Sequence, residues 1–357
     1  MSNRSTIRAL FSIAIVSLLF FSSRDLCARR ICDVNVDIRL GDINLTAKWR
    51  AVISSNPNHF WMLRLTEDGV EWNDAAPNGD KVVFIDKIKV GRFLISLNGS
   101  RTPSLGYQLR GQGDDSGPDL FCRLTQDILE GDPPWNYMAD IETATSRRWA
   151  ILANPFPWEK EGSFVLIPVV GEHQPQDLKI CDLEDVLHIW GSSENLHILF
   201  NGEGAGNSQQ HMHFQLSNVS LPAESDEVAS IMNVGDIIVN KLKDDPIIAL
   251  TWAGEMDVSN LSDVIFRIVS EFQAREIAFN ISFSKSKDKI LIYPRAIEAI
   301  PQLLGKRFGT PEVGRQLIAI SQEQFDAVTL DVLEITLGNA LLDWPKTESI
   351  LFEVFKD

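Results

Sequence analysis

The sequence predicts an α+β fold of two lobes, each an antiparallel sheet packed with helices. Its 357 residues exceed one typical domain of about 100–200 residues, and a hydrophobic content of 44% is enough to bury a sizeable core. Patterns in the middle of the chain indicate a hairpin, a helix, a strand and another strand, in that order. The second half repeats this order, which is a weak indication that the two halves are related.

The hairpin opens the best-patterned region of the chain. The stretch "RWAILANPFP" from Arg148 predicts a strand that ends at its prolines, "EKEG" predicts the turn, and "SFVLIPVV" predicts the partner strand. A helix follows, with Asp182 as its predicted N-cap and Gly191 at its end. Its apolar face has the spacing i, i+3, i+4, i+7: Leu183, Val186, Leu187 and Trp190. The segment "LHILFN" then predicts the next strand.

The second half shows the same elements without histidines. An apolar helical face runs from Leu261 to Phe272, "IAFNISF" and "KILIYPR" flank the turn "SKSKD", and a helical segment covers Gln322 to Leu341. No histidine follows His213. A second lobe without imidazoles is expected to support or recognise rather than catalyse.

Four regions follow from these patterns. Residues 1–28 are a signal peptide or an N-terminal helix, 29–81 are unassigned, 82–222 form the lobe with the histidines, and 223–357 form the C-terminal lobe. Within the first lobe, residues 82–98 alternate like strands and residues 110–119 have the composition of a loop.

The N-terminus has the pattern of a secretory leader. Arg4 and Arg8 precede an apolar run, Ala9 to Phe21, that is too short to span a bilayer and fits the hydrophobic region of a signal peptide with a junction at Ala28. A buried N-terminal helix is the alternative. The four cysteines, Cys27, Cys32, Cys122 and Cys181, form no CxxC pair and are predicted to be ordinary buried or half-buried thiols.

The net charge of the chain limits the classes of molecule that it is expected to bind. A net charge of -16 argues against nucleic acid and anionic membranes as partners, because both repel an acidic protein, and no stable membrane association of the mature protein is expected. Any phosphate ligand must therefore meet a local basic pocket or a pocket of backbone amides.

A row of polar side chains is the strongest chemical signal. His211, His213 and Gln215 alternate with apolar residues in "HMHFQL", so on a strand all three project from one face. A neutral imidazole there can attack phosphorus and form a nucleotidyl-histidine. A carboxamide can donate to a phosphoryl oxygen but cannot activate water, which favours transfer over hydrolysis. The glycines of the preceding "GEGAG" allow backbone amides to approach phosphate.

Two simpler interpretations compete with catalysis. The two histidines of an H-x-H strand can be zinc ligands, with His173 as the candidate third ligand. They can equally be part of an exposed polar face. The sequence does not show where His173, His188 or His197 lie in space.

"HMHFQL" matches the H-φ-H-φ-Q motif of the histidine-triad superfamily, in the branch where glutamine replaces the third histidine. The chain resembles the GDP-hexose phosphorylases of that branch over roughly Val82 to Val354. Further stretches carry the resemblance in the right order: "RFLISLNGSRTP", "ANPFPWEKEGSFVLIPVV", "QPQDL", "FNGEGAGNSQQHMHFQ", "REIAFNISFS" and "EVGRQLIAISQEQFDAV".

The resemblance implies two histidine-triad-like lobes and a nucleotidyltransferase that converts GDP-hexose and inorganic phosphate into hexose 1-phosphate and GDP. It implies His213 as the nucleophile, His211 as its orienting partner and Gln215 as the phosphoryl donor, without cofactor or metal. The implied nucleotide and phosphate contacts are Asn201, Gly204, Ser208, Gln210, Asn154 and Arg101.

The chain departs from the family at two places. Gln210 stands where the family has asparagine, and the basic segment after Leu-Asn is reduced to Arg101. A catalytically weak nucleotide-binding or secreted protein, or a nucleotide hydrolase, is therefore the alternative function. The family implies a cytoplasmic location, and the leader implies export. The hexose, the base and the oligomeric state stay open.

Overall fold

The computed structural model describes residues 44–356 apart from 61, 68, 75–81, 100–119, 144, 156, 161, 208, 287 and 297–307. The predicted leader, Cys27 and Cys32 lie outside the described residues, and so do the predicted contacts Arg101 and Ser208. No helix among the described residues is long and apolar enough to cross a membrane.

The strands and helices are numbered along the chain. The strands are β1 Leu63–Leu65, β2 Val70–Trp72, β3 Phe84–Val90, β4 Phe93–Asn98, β5 Tyr137–Glu142, β6 Arg148–Ala153, β7 Ser163–Pro168, β8 His197–Asn201, β9 Phe214–Ser217, β10 Val228–Val234, β11 Ile237–Leu242, β12 Ile248–Trp252, β13 Phe279–Phe283, β14 Ile290–Pro294 and β15 Gln316–Ala319. The helices are α1 Leu45–Ser55, α2 Leu120–Glu130, α3 Ile180–Ser192, α4 Val258–Ala274, α5 Thr310–Val313, α6 Gln322–Asp326, α7 Leu330–Ala340 and α8 Trp344–Val354.

Ten of these strands form one antiparallel sheet. Their order is β5-β6-β7-β9-β8-β13-β14-β12-β11-β10, so β8 of the first half and β13 of the second half meet at its centre. Strands β8 and β13 join the halves through the register Asn201 to Asn280 and Ile198 to Phe283. The predicted α+β class with antiparallel sheets and helices is confirmed, and the two expected sheets are halves of a single one.

Helices α3 and α4 occupy equivalent places in the two halves. In the sequence each follows a hairpin, β6-β7 or β11-β12, and precedes two strands near the centre of the sheet, β8-β9 or β13-β14. Both belong to the large core on one face of the sheet, and Trp190 and Ile265 are fully buried there. Helix α3 begins after Lys179, and Asp182 caps the Lys179 amide from inside the first turn, with Oδ2 accepting at 3.0 Å. The prediction of Asp182 as N-cap residue is therefore wrong by three residues, and the helix ends one residue beyond Gly191.

Two separate sets of elements pack on the opposite face of the ten-stranded sheet. Helix α2 packs Phe121 and Ile128 against Val165 and Ile167 in the first half. A three-stranded sheet of order β15-β4-β3, together with α7, covers the second half. Residues 82–98 were assigned to the first lobe, but their strands β3 and β4 pair with C-terminal β15, so they lie outside the ten-stranded sheet.

The structure shows secondary structure in a region that had no assignment from the sequence, and it divides one predicted helical segment into two helices. Residues 29–81 were unassigned, and their described part contains α1 and the β1-β2 hairpin. The predicted helical segment from Gln322 to Leu341 is divided into α6 and α7, because Thr329 caps a new helix through its side chain to the Val332 amide.

A bridging network of buried polar side chains connects the two halves beside β8 and β13. Asn280 donates to Asn201 Oδ1 at 2.8 Å and accepts from Arg295 Nη1 at 2.7 Å. Thr310 donates its amide and its hydroxyl to the same Asn201 oxygen, at 2.8 and 2.7 Å. Burial lowers the pKa of Arg295 to about 10, and its guanidinium also donates to the carbonyls of Phe308 and Ala340.

Asn280→Ala is expected to lower the free energy of unfolding by about 2–4 kcal/mol, because Asn201 and Arg295 lose a buried partner. Urea denaturation measures the change. The matched control is Asn233→Ala on exposed β10, which is expected to change stability by less than about 0.5 kcal/mol. Equal effects of the two substitutions would contradict the bridging role.

Candidate functional site

The histidine motif lies where the chain enters β9. His211 and His213 precede the strand, which begins at Phe214, whereas Gln215 lies within it between Leu199 and Val165. The expectation that one strand carries all three polar residues is therefore correct only for Gln215. The approach segment bonds to the loop after β7 instead, since Met212 N donates to Gln174 O at 2.7 Å.

The three polar side chains nevertheless share one face, as the alternation predicts. The ring of Phe121 packs on both imidazoles, with centroid separations of 5.9 Å to His211 and 5.2 Å to His213. Gln215 lies opposite Val165, which belongs to the same cluster as Phe121. The intervening apolar residues belong to the large core on the other face: Met212, Phe214 and Leu216.

Hydrogen bonds fix the ring of His213. Its Nδ1 lies 2.8 Å from the carbonyl oxygen of His211 and 3.2 Å from Gln176 Oε1. Both atoms accept hydrogen bonds only, so in the neutral ring Nδ1 carries the proton and Nε2 keeps the lone pair. This is the tautomer that a nucleophilic imidazole requires at Nε2.

Comparison with known proteins supports the resemblance in two independent parts of the chain. The family described as "GDPGP1-like, C-terminal domain" matches residues 220–343. A domain of unknown function, DUF4922, matches residues 138–218, the part with the histidine motif. No curated protein sequence matches the chain.

Solved structures give the same fold. Yeast Ap4A phosphorylase Apa2 in complex with Ap4A matches with a TM-score of 0.53 at 15% identity, over 84% of this chain and 97% of that chain. Its complex with AMP matches with a TM-score of 0.51 at 14% identity and the same coverage. Together, these matches support a relation of the chain to the GDP-hexose phosphorylases.

Gln176 is a residue of the candidate site that sequence reasoning missed. Its Oε1 accepts from the His213 amide at 2.9 Å, and its Nε2 donates to the carbonyls of Asn201 at 2.9 Å and His213 at 3.1 Å. One buried amide thus holds the end of β8 and the nucleophile candidate together. The available signal was the "QPQDL" turn, whose side chains had no assigned role.

The imidazole of His211 lies beside Cys122 and His173. Its Nδ1 is 3.5 Å from Cys122 Sγ, and its ring centroid is 5.5 Å from that of His173. The predicted orienting role of His211 is thus performed by its backbone carbonyl. Cys122 was expected to be an ordinary thiol, and its position beside two imidazoles had no signal in the sequence because α2 was not predicted.

The other predicted contacts are spread over the fold. Asn201 is buried in the bridging network, whereas Gly204 and Gln210 are exposed in the loop between β8 and the motif. The amide of Asn154 donates to the carbonyl of Ser163, and Ser163 is the β7 residue opposite Ser217 of β9. Because Ser217 comes four residues after His213, Asn154 lies about 13 Å from His213 along the strand direction. Contacts of these four residues with a nucleotide stay predictions.

The glycine-rich loop has a structural requirement of its own. Gly204 has a φ of +75°, in the left-handed region that favours glycine. A Cβ on Gly206 would collide with the carbonyl oxygen of Phe308. Packing against the second half therefore accounts for Gly206 without a phosphate.

Gln176→Ala is expected to lower the free energy of unfolding by about 2–3 kcal/mol, because a buried amide and two buried carbonyls lose their partner. Urea denaturation measures this change. Gln174→Ala is the matched control, since Gln174 bonds to Met212 through its backbone carbonyl, which the substitution keeps. The clamp assigned to Gln176 would be refuted by indistinguishable stabilities.

Proposed function

We propose that the protein is a nucleotide phosphorylase that acts on a GDP-hexose through a guanylyl-His213 intermediate. The geometry of His213 is the observation that carries the proposal, because its Nδ1 is engaged by a carbonyl and its Nε2 keeps the lone pair. The relation to the GDP-hexose phosphorylases supports the GDP-hexose substrate, and the Ap4A and AMP complexes of Apa2 support the broader nucleotide class.

The reaction balances in two displacements. Nε2 of His213 attacks the α-phosphorus, a nitrogen-phosphorus bond forms, and the bond to the oxygen bridging the α- and β-phosphorus breaks as hexose 1-phosphate leaves. An oxygen of inorganic phosphate then attacks the same phosphorus and displaces the imidazole, which yields GDP. The Nδ1 hydrogen bond to the His211 carbonyl stabilises the positive charge that develops on the ring in the first step.

Gln215 completes the proposed machinery as a hydrogen-bond donor. It is half-buried and lies on the face that carries both imidazoles. An amide donates to a non-bridging phosphoryl oxygen without accepting a proton from water, which favours transfer to phosphate. A cytoplasmic location belongs to the same proposal, because GDP-sugars are mainly intracellular metabolites.

A nucleotide-binding protein with little turnover is the second candidate. The observation that favours it is the burial of His213, which is 3% exposed beneath Phe121. Purified protein incubated with a panel of nucleotide sugars and Ap4A, with and without phosphate, separates the candidates. Phosphate-dependent release of a nucleoside diphosphate supports the phosphorylase, and binding without release supports the binding protein.

His213→Asn is expected to abolish covalent labelling by GDP-hexose that carries a labelled α-phosphate, because the nucleophile is removed. Wild-type protein should keep the label after denaturation in base, where phosphohistidine survives, and lose it in acid. Turnover of His213→Asn should fall at least about 1,000-fold, while GDP binding persists.

His211→Asn is the matched control for this labelling. It keeps the backbone carbonyl that orients His213, so it should still acquire label, more slowly than wild type. Label retained by His213→Asn, or never acquired by wild type from any nucleotide of the panel, would falsify the covalent mechanism.

Gln215→His is expected to shift the products from transfer towards hydrolysis, since an imidazole can move a proton near neutral pH and a carboxamide cannot. The ratio of GDP to GMP, measured at a fixed phosphate concentration, should fall. Gln322→His, on the exposed surface of α6, is the control and should leave the ratio unchanged. An unaltered ratio in Gln215→His would remove the proposed role of this residue.

A further inference from the structure

Helix α2 covers the histidine motif and separates it from solvent. His213 is 3% exposed, and the ring of Phe121 lies 5.2 Å from its imidazole, centroid to centroid. The same phenylalanine ring is 5.9 Å from the imidazole of His211. A phosphorus atom has to come within about 3–3.5 Å of the attacking nitrogen before it can react. One of the elements around His213 therefore has to move before a substrate can reach the imidazole.

The elements around His213 differ in how firmly they are held. Gln176 bonds the amide and the carbonyl of His213, and it also bonds the carbonyl of Asn201 in β8. Moving these groups would break buried hydrogen bonds near the centre of the ten-stranded sheet. Helix α2, by contrast, buries three of its eleven side chains: Phe121, Thr125 and Ile128. Because this contact is small and mainly apolar, α2 is the element that can separate locally.

The connection after α2 contains a hinge and an anchor. Gly131 follows the helix with a φ of +84°, and a Cβ at this position would meet no atom within 4 Å. The backbone can therefore rotate at this glycine without a steric clash. Four residues later, the ring of Trp135 stacks on His59 at 4.1 Å and packs edge-on against Phe60 at 5.5 Å. The chain is thus held at Trp135 and can turn at Gly131.

We propose that α2 is a lid that turns about Gly131 and so uncovers the imidazoles of His211 and His213. Phe121 is the latch of this lid, because its ring packs on both imidazoles. Opening separates the apolar side chains of α2 from those of β7, so the closed state is favoured when no ligand is bound. The lid therefore opens as a minor, local fluctuation while the sheet stays folded.

The use of the lid rests on the proposed function, whereas its opening is a property of the fold alone. When open, the lid admits a phosphoryl substrate to His213. When closed, Phe121 keeps water from the imidazoles, which protects a phosphohistidine against hydrolysis. A groove runs along the first turns of α2 and gives solvent a path to this edge of the lid, and it is lined by Leu120, Cys122, Arg123 and Gly171.

Labelling by diethyl pyrocarbonate, which acylates neutral imidazoles, tests the lid without any nucleotide. Mass spectrometry of peptides gives the labelling rate of each histidine in the full-length protein, from zero urea to the start of unfolding. His213 and His197 are both buried, but His197 lies on β8 beside Glu224 and not under Phe121. His213 is expected to be labelled at least about tenfold faster than His197, with little dependence on urea. Equal rates with equal urea dependence would mean that only global unfolding exposes His213, and would overturn the proposal.

Phe121→Ala removes the latch and should speed the labelling of His213 at least about tenfold, because truncating a buried phenylalanine weakens its packing by more than this factor. Leu129→Ala is the matched control on the same helix, since Leu129 is 47% exposed, and should change the rate by less than about twofold. A rate in Phe121→Ala within about twofold of wild type also overturns the proposal.

His197 is the internal control for folding, because its labelling rises only where a variant unfolds. If it rises in Phe121→Ala, the comparison of His213 with His197 in wild type decides the question. Covalent labelling of His213 by a nucleotide is a separate assay. A protein whose lid opens but that never acquires a nucleotide therefore keeps this inference and loses the proposed function.

Discussion

The side-chain amide of Gln176 is the interaction on which the candidate site depends. It bonds on one side to the carbonyl at the end of β8 and on the other to both backbone groups of His213. Asn201, whose carbonyl it meets, is bonded through its side chain to Asn280, and Asn280 is bonded to Arg295. A continuous set of hydrogen bonds thus runs from the second half of the sheet to the nucleophile candidate.

This arrangement explains why His213 is held so firmly although it precedes its strand. A residue outside β9 lacks the ladder bonds that fix a strand residue, and the Gln176 side chain replaces them by bonding the amide and the carbonyl of the same residue. Because the ring Nδ1 also turns towards the preceding backbone, both the position and the tautomer of the imidazole are set locally. In this tautomer Nε2 is the ring nitrogen that carries the lone pair.

The fold was predictable from the sequence where apolar periodicity was strong. The hairpin β6-β7, the strand β8 and the helices α3 and α4 lie where their patterns predicted them, because each buries one regular face. The joining of both halves into one sheet was not predictable, since the pairing of β8 with β13 connects residues about 80 apart and has no local signal.

The candidate site was predictable in its chemistry but only partly in its contacts. The H-x-H-x-Q spacing was enough to place three polar groups on one face. The positions of Gln176 and Cys122 depend on elements that carry no motif, a turn and a helix that follows residues with the composition of a loop. Asn201 is the opposite case, a residue that the motif predicted as a nucleotide contact. Its side chain is buried in the bridging network, and the sequence pattern alone does not reveal this.

The half without histidines has a definite part in this site. Strand β8 supports β9 on one side, and without β13 its other side would be an unpaired sheet edge, which is prone to fraying and to pairing with other chains. The second half closes that edge with β13 and supplies Asn280 and Arg295 to the bridging network. Its strands therefore need the shape of the first half but none of its imidazoles, which accounts for a repeated architecture with a single histidine motif.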